Sequence, residues 1–136
     1  MEDHFGYSDE RLEQLFSSSQ LQPKHFTHEA HLRLAWIHIT KYGRRKAVDE
    51  LTKQIRTYAT SLDAAHKYHH TITVAAINVV NHFICRSSSD DFVALVAEFP
   101  RIKSHFRELL LTHYSSDLIF SDSAKSQYVE PYLLPF

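Results

Sequence analysis

The chain has 136 residues, of which 43% are hydrophobic and 23% are charged, and its net charge is −1. This length and balance predict one globular domain over residues 1–136, without the basic surface that nucleic-acid binding requires. The sequence contains no run of roughly 18 apolar residues, so no membrane span is predicted. The single cysteine, Cys85, cannot form an internal disulfide; we predict that it is buried and that the protein is cytoplasmic. The oligomeric state stays open.

Three helices are predicted in the first half of the chain. Residues 8–16 combine a serine cap with an apolar face, and residues 27–42 begin at the capping residue Thr27 and stop at Gly43. A third helix follows over residues 44–65, with apolar side chains at helical spacing and a polar opposite face.

The second half begins with the hardest segment to assign, residues 71–84. Its β-branched residues favour a strand, but its length and the spacing of Thr73, Ile77 and Val80 favour a buried central helix. A short helix capped by Ser89 or Asp90 should then end before a proline.

A longer helix over residues 102–113 is predicted next, and Ser121 is expected to cap a last short turn. The tail, residues 129–136, is apolar enough to dock on the remainder of the chain. The sequence thus predicts an all-α fold, a compact bundle of five to seven helices with a docked C-terminal tail.

Eleven histidines are present, and two groups of them lie at predicted helix starts. His28 and His31 are one turn apart on the same side of a helix, and His69 stands at the start of the central helix. Facing helices can build a metal site from such side chains, and imidazole ligands suit zinc, copper, iron or nickel. We predict that His28, His31 and His69 bind one divalent transition metal ion.

Two neighbours of His69 are candidate catalytic residues in a small metal-dependent enzyme that acts on a small molecule. His70 could complete the metal shell or act as a general acid–base, because imidazole titrates near neutrality. Tyr68 could donate a hydrogen bond to a bound substrate.

The same residues allow less specific interpretations. Histidines at helix ends can be capping or surface groups, and H-x-x-H alone is a weak metal signal. Glu29 is rotated about 100° from His28, which makes it a doubtful ligand, and His4 is expected to be structural or exposed. The alternative function is a non-enzymatic helical module that binds a protein or a hydrophobic ligand.

Four strings resemble a family of small, uncharacterised, all-helical bacterial proteins. Residues 26–32 read FTHEAHL, residues 68–73 read YHHTIT, residues 118–121 read LIFS and residues 129–131 read VEP. The family shows F-x-H-x-x-H-L, Y-H-E-T, L-F-S and V-E-P-D-L in this order. The resemblance covers nearly the whole chain from residue 26 onward.

The resemblance implies that His28, His31 and His69 correspond to the motif histidines of the family. Two positions depart from the motifs. His70 stands where the family has glutamate, and Tyr132 stands where it has aspartate. A carboxylate base at position 70 is therefore absent from this chain.

Overall fold

The computed structural model describes residues 2–136, and every regular element in that range is a helix. Nine α-helices occur there, six of them with seven residues or more, so the predicted all-α fold is confirmed. None of the described helices is both long and apolar enough to cross a membrane. The chain divides into a first unit, Met1–Tyr68, and a second unit, His69–Phe136. The single-domain organisation stays a prediction.

The first unit contains three α-helices and three short 3₁₀ turns. The helices are α1 (Asp9–Ser17), α2 (His28–Tyr42) and α3 (Arg44–Ser61), and the turns are Asp3–Gly6, Pro23–His25 and Ala65–Lys67. Thr27 caps α2 as predicted, because its hydroxyl oxygen accepts a hydrogen bond from the amide of Ala30. α3 ends four residues before the predicted boundary, where Asp63 adopts a left-handed conformation with φ of 55°.

Gly43 is the only residue between α2 and α3, and it flanks both helices. Its φ of 87° lies in the region that side-chain-bearing residues rarely adopt. An added Cβ atom would meet nothing within 4 Å, so the backbone dihedral alone requires glycine there.

The core of the first unit joins its three α-helices through aliphatic and aromatic side chains. Phe16 of α1, Leu32 of α2 and Leu51 of α3 have no exposed surface. The ring of Phe16 lies 4.9 Å from that of Tyr58, whose hydroxyl donates a 2.6 Å hydrogen bond to the carbonyl of Leu21. This core fixes the start of α2, where the predicted ligands lie.

The second unit consists of six α-helices. They are α4 (His70–Ile84), α5 (Phe92–Glu98), α6 (Arg101–Ser104), α7 (Phe106–His113), α8 (Ser116–Ile119) and α9 (Asp122–Ser126). The segment that was hardest to assign is therefore a helix, α4, and Thr73, Ile77 and Val80 are buried as its face predicts. Ser121 caps α9 as predicted, by accepting from the amide of Ala124.

Two details of the second unit differ from the predictions. α5 is capped by Asp91, whereas the hydroxyl of Ser89 is bonded to Glu98 instead. The helix predicted over residues 102–113 is interrupted at His105, whose φ of −134° is incompatible with a continuous helix. Cys85 follows α4 and is exposed, so the prediction that it is buried was wrong.

The C-terminal tail docks on α7, as predicted, through its last residues. His113 Nδ1 donates a 2.6 Å hydrogen bond to the carbonyl of Leu134, and the His113 ring stacks on Phe136 with centroids 4.1 Å apart. Tyr132 and Leu133 nevertheless expose 61% and 51% of their surface. Only part of the tail is packed.

Candidate metal centre

His28 and His31 begin α2 together, as their spacing predicts, but their surroundings differ. His28 is exposed, whereas His31 is half-buried beside the ring of Phe26, with centroids 5.8 Å apart. The Nε2 atom of His31 has no solvent-exposed surface and no hydrogen-bond partner. Burial, and to a lesser extent the nearby His28, lowers the pKa of His31 to about 4. His31 is therefore a neutral imidazole at physiological pH.

His69 caps α4 through one ring nitrogen and bonds the last residue of α8 through the other. Nδ1 accepts from the amide of Ile72 at 3.1 Å, and Nε2 donates to the carbonyl of Ile119 at 2.7 Å. The capping bond identifies the ring as the Nε2–H tautomer, with no lone pair left for another partner. A metal ion at His69 would have to replace one of these two bonds. His69 as a ligand stays a prediction.

Thr71 continues this connection between α4 and the C-terminal segment. Its buried hydroxyl donates to the carbonyl of Gln127 at 2.8 Å and accepts from the amide of Val129 at 3.1 Å. Two residues of the YHHT string therefore bond backbone groups farther along the chain. His69 reaches Ile119 in the LIFS string, and Thr71 reaches Gln127 and the first residue of the VEP string, Val129. These bonds connect the start of α4 with the C-terminal segment within the second unit.

The two predicted catalytic residues occupy half-buried positions. The ring of Tyr68 lies 4.7 Å from the guanidinium of Arg56, in a cation–π contact. His70 is the first residue of α4. Their catalytic roles stay predictions, as does the shared centre of His28, His31 and His69.

A different group of ligand-type side chains converges in the first unit. Among residues 2–136, Glu2, His4 and Glu29 form the one set of three whose ligand atoms lie within 4.8 Å of one another. His4 Nε2 is 2.8 Å from a carboxylate oxygen of Glu29 and 3.9 Å from one of Glu2. His4 is fully buried, Glu29 is 6% exposed and the Glu2 side chain is 32% exposed. We call these three residues the His4 cluster.

Arg33 lies beside the His4 cluster, and its guanidinium bonds two backbone carbonyls and a carboxylate. It donates to the carbonyls of His4 and Tyr7 at 2.6 and 2.8 Å and pairs with Asp9 at 2.9 Å. Asp9 therefore balances the charge of Arg33.

The donor set of the His4 cluster suits a transition metal. Zinc binds imidazole nitrogen and carboxylate oxygen at about 2.0–2.2 Å, which places tetrahedral ligand atoms roughly 3.3 Å apart. The two separations from His4 Nε2, 2.8 and 3.9 Å, bracket that value. An ion would replace the proton that His4 Nε2 shares with Glu29. The resulting proton on Nδ1 would require Arg33, now 3.4 Å from that atom, to move away.

The sequence interpretation missed this cluster. His4 was expected to be structural or exposed, and Glu29 was considered a doubtful ligand because it points away from His28. That rotation is what turns Glu29 toward His4, 25 positions earlier in the chain. No short spacing motif marks such a pair, because a whole helix, α1, lies between the two positions.

No family model matches the sequence, and searches of curated proteins and of solved structures likewise gave no significant match. The likeness to the bacterial family therefore stays a resemblance carried by the four strings.

Proposed function

We propose that this protein binds one divalent transition metal ion through Glu2, His4 and Glu29. The observation that supports the proposal is the convergence of one imidazole and two carboxylates within 4.8 Å. One nitrogen and two oxygen ligands suit zinc, iron(II) or manganese.

The exposure of the three side chains bears on the role that an ion would have in the His4 cluster. His4 and Glu29 are buried, whereas the Glu2 side chain is 32% exposed. The burial of two of the three ligands favours an ion that stabilises the fold over one that activates a small-molecule substrate.

Titration calorimetry on protein purified without a histidine tag tests the proposal. We expect one zinc ion per chain, and at least about tenfold weaker binding in Glu2→Gln and in Glu29→Gln. Glu10→Gln is the matched control, since Glu10 is an exposed carboxylate in the first turn of α1. The absence of stoichiometric binding of zinc, iron(II) or manganese would refute the proposal, as would unchanged affinity in both cluster variants.

The second candidate is the metal-dependent enzyme with His28, His31 and His69 as ligands and with His70 and Tyr68 as catalytic residues. It is favoured by the Nε2 atom of His31, which is buried without a hydrogen-bond partner. The double variant His28→Ala/His31→Ala separates the two candidates. Loss of metal binding in this variant, together with unchanged binding in Glu29→Gln, would favour the histidine centre over the His4 cluster.

A further inference from the structure

The first residues of the chain are held on α2 mainly by polar contacts. We call residues 2–7 the N-terminal segment; His4 is the only buried residue of its 3₁₀ turn, Asp3–Gly6. Phe5 adds a cation–π contact, with its ring 5.4 Å from the guanidinium of Arg33. Phe5 and Tyr7 are only half-buried, so the docking of this segment depends on its polar contacts as well as on apolar burial.

The polar contacts all reach residues 25–33. His4 donates to Glu29, the hydroxyl of Thr27 donates to Glu2, and the Tyr7 hydroxyl lies 2.9 Å from Nδ1 of His25. Arg33 adds its two bonds to backbone carbonyls of the segment. The N-terminal segment is therefore attached along one short stretch at the start of α2.

Two ligands of the His4 cluster belong to the N-terminal segment, and the third, Glu29, belongs to α2. A metal ion in the cluster would therefore cross-link the segment to the helix. An ion that binds only the docked arrangement stabilises it by mass action.

We infer that a divalent metal ion in the His4 cluster controls whether the N-terminal segment is docked on α2. This inference rests on the proposed metal site and adds a conformational role to it. With zinc bound the segment covers Arg33 and Glu29, and on removal of the ion it is released more often and exposes both side chains to solvent.

Amide hydrogen exchange in the full chain measures this docking directly. The amides of Phe5 and Tyr7 donate to the carbonyls of Glu2 and His4, each at 3.2 Å, so they report the turn of the segment. With zinc at about one hundred times its dissociation constant, we expect their protection to rise roughly a hundredfold over the value in EDTA. The amide of Tyr114, in the second unit, is the internal control and should not change.

The outcomes separate failure of this inference from failure of the proposed function. Stoichiometric zinc binding with unchanged protection of Phe5 and Tyr7 would overturn the inference and leave the metal site standing. An equal rise at Tyr114 would also overturn it, because the effect would then be global stabilisation. If calorimetry detects no zinc binding, the proposed function fails and the inference fails with it.

The variant Glu29→Gln tests the mechanism. Its amide oxygen can still accept from His4, so the segment should remain docked in EDTA with protection at or above that of the unmodified chain. The zinc-dependent rise should disappear, because a neutral amide is a poor metal ligand. A loss of protection that is the same with and without zinc would assign Glu29 a structural role only and would overturn the inference.

Discussion

His4 in the first unit and His69 in the second unit are both hydrogen-bonded through the ring, but to groups of different kinds. His4 contacts the carboxylate of Glu29 and the guanidinium of Arg33, whereas His69 contacts a backbone amide and a backbone carbonyl. A carboxylate can exchange a shared proton for a metal ion. The two backbone groups instead occupy both ring nitrogens of His69, one as donor and one as acceptor. The comparison predicts that the partners of a histidine, rather than its position in a motif, decide whether it binds a metal ion.

The largest predicted effect is a fall in the free energy of unfolding at acid pH, caused by buried histidines of the first unit. Burial keeps the pKa of His31 at about 4 and also lowers the pKa of His38. Both are neutral when folded, and the unfolded chain binds their protons below about pH 6.5. Their contribution to the free energy of unfolding is therefore fully present above pH 6.5. It is lost as the pH falls toward 4, by roughly 3 kcal/mol for His31 alone.

Urea unfolding in EDTA between pH 7 and pH 5 measures this loss above the range in which most carboxylates titrate. His31→Gln should reduce the pH dependence, while His66→Gln, at an exposed position, should leave it unchanged. An unaltered slope in the His31 variant would contradict the assigned pKa.

The next largest effect is expected on removal of the two backbone hydrogen bonds of His69. We expect His69→Ala to destabilise the chain by about 2 kcal/mol, because α4 loses its cap and the carbonyl of Ile119 loses its donor. Chemical denaturation measures the change, with His66→Ala as the control. Zinc affinity should not change in this variant. A marked loss of zinc affinity without destabilisation would reverse the roles assigned to His4 and His69.

Thr71→Val should have a somewhat smaller effect. The substitution keeps the shape of the side chain but removes the hydroxyl that joins Gln127 and Val129, at an estimated cost of about 1.5 kcal/mol. Thr71→Ser retains the hydroxyl and is the matched control. Denaturation midpoints should rank serine above valine, and the opposite order would show that packing of the methyl group dominates.

Tyr7→Phe should have the smallest effect, about 0.5 kcal/mol, because one part-buried bond to His25 is lost while Arg33 still holds the segment. Thermal unfolding in EDTA measures the difference. A loss comparable to that of His69→Ala would mean that the N-terminal segment is anchored chiefly through Tyr7.

The helices were predictable where their signals are local. Thr27 and Ser121 cap helices as predicted because a cap acts within three residues of its own position. The interruption at His105 had no such signal, since no proline or glycine lies within residues 101–113. The spacing of apolar residues there continues across the interruption and does not reveal it.

The candidate site was less predictable because it depends on contacts between distant positions. His28 and His31 form a visible pair, whereas His4 and Glu29 meet only after the chain has turned back through the Pro23–His25 turn. His69 was correctly placed at a helix start, but its two backbone bonds depend on Ile72 and on Ile119, 50 positions away. A sequence pattern cannot show which nitrogen atoms are already occupied.

The single-residue connection at Gly43 sets a limit on how this chain can vary. Each residue of an α-helix turns the chain by about 100°, so one inserted residue beside Gly43 would rotate the apolar face of α3 away from α2. No loop is present at that point to absorb the extra length. Insertions and deletions should therefore be tolerated at the serine-rich stretch after α4 far better than between α2 and α3.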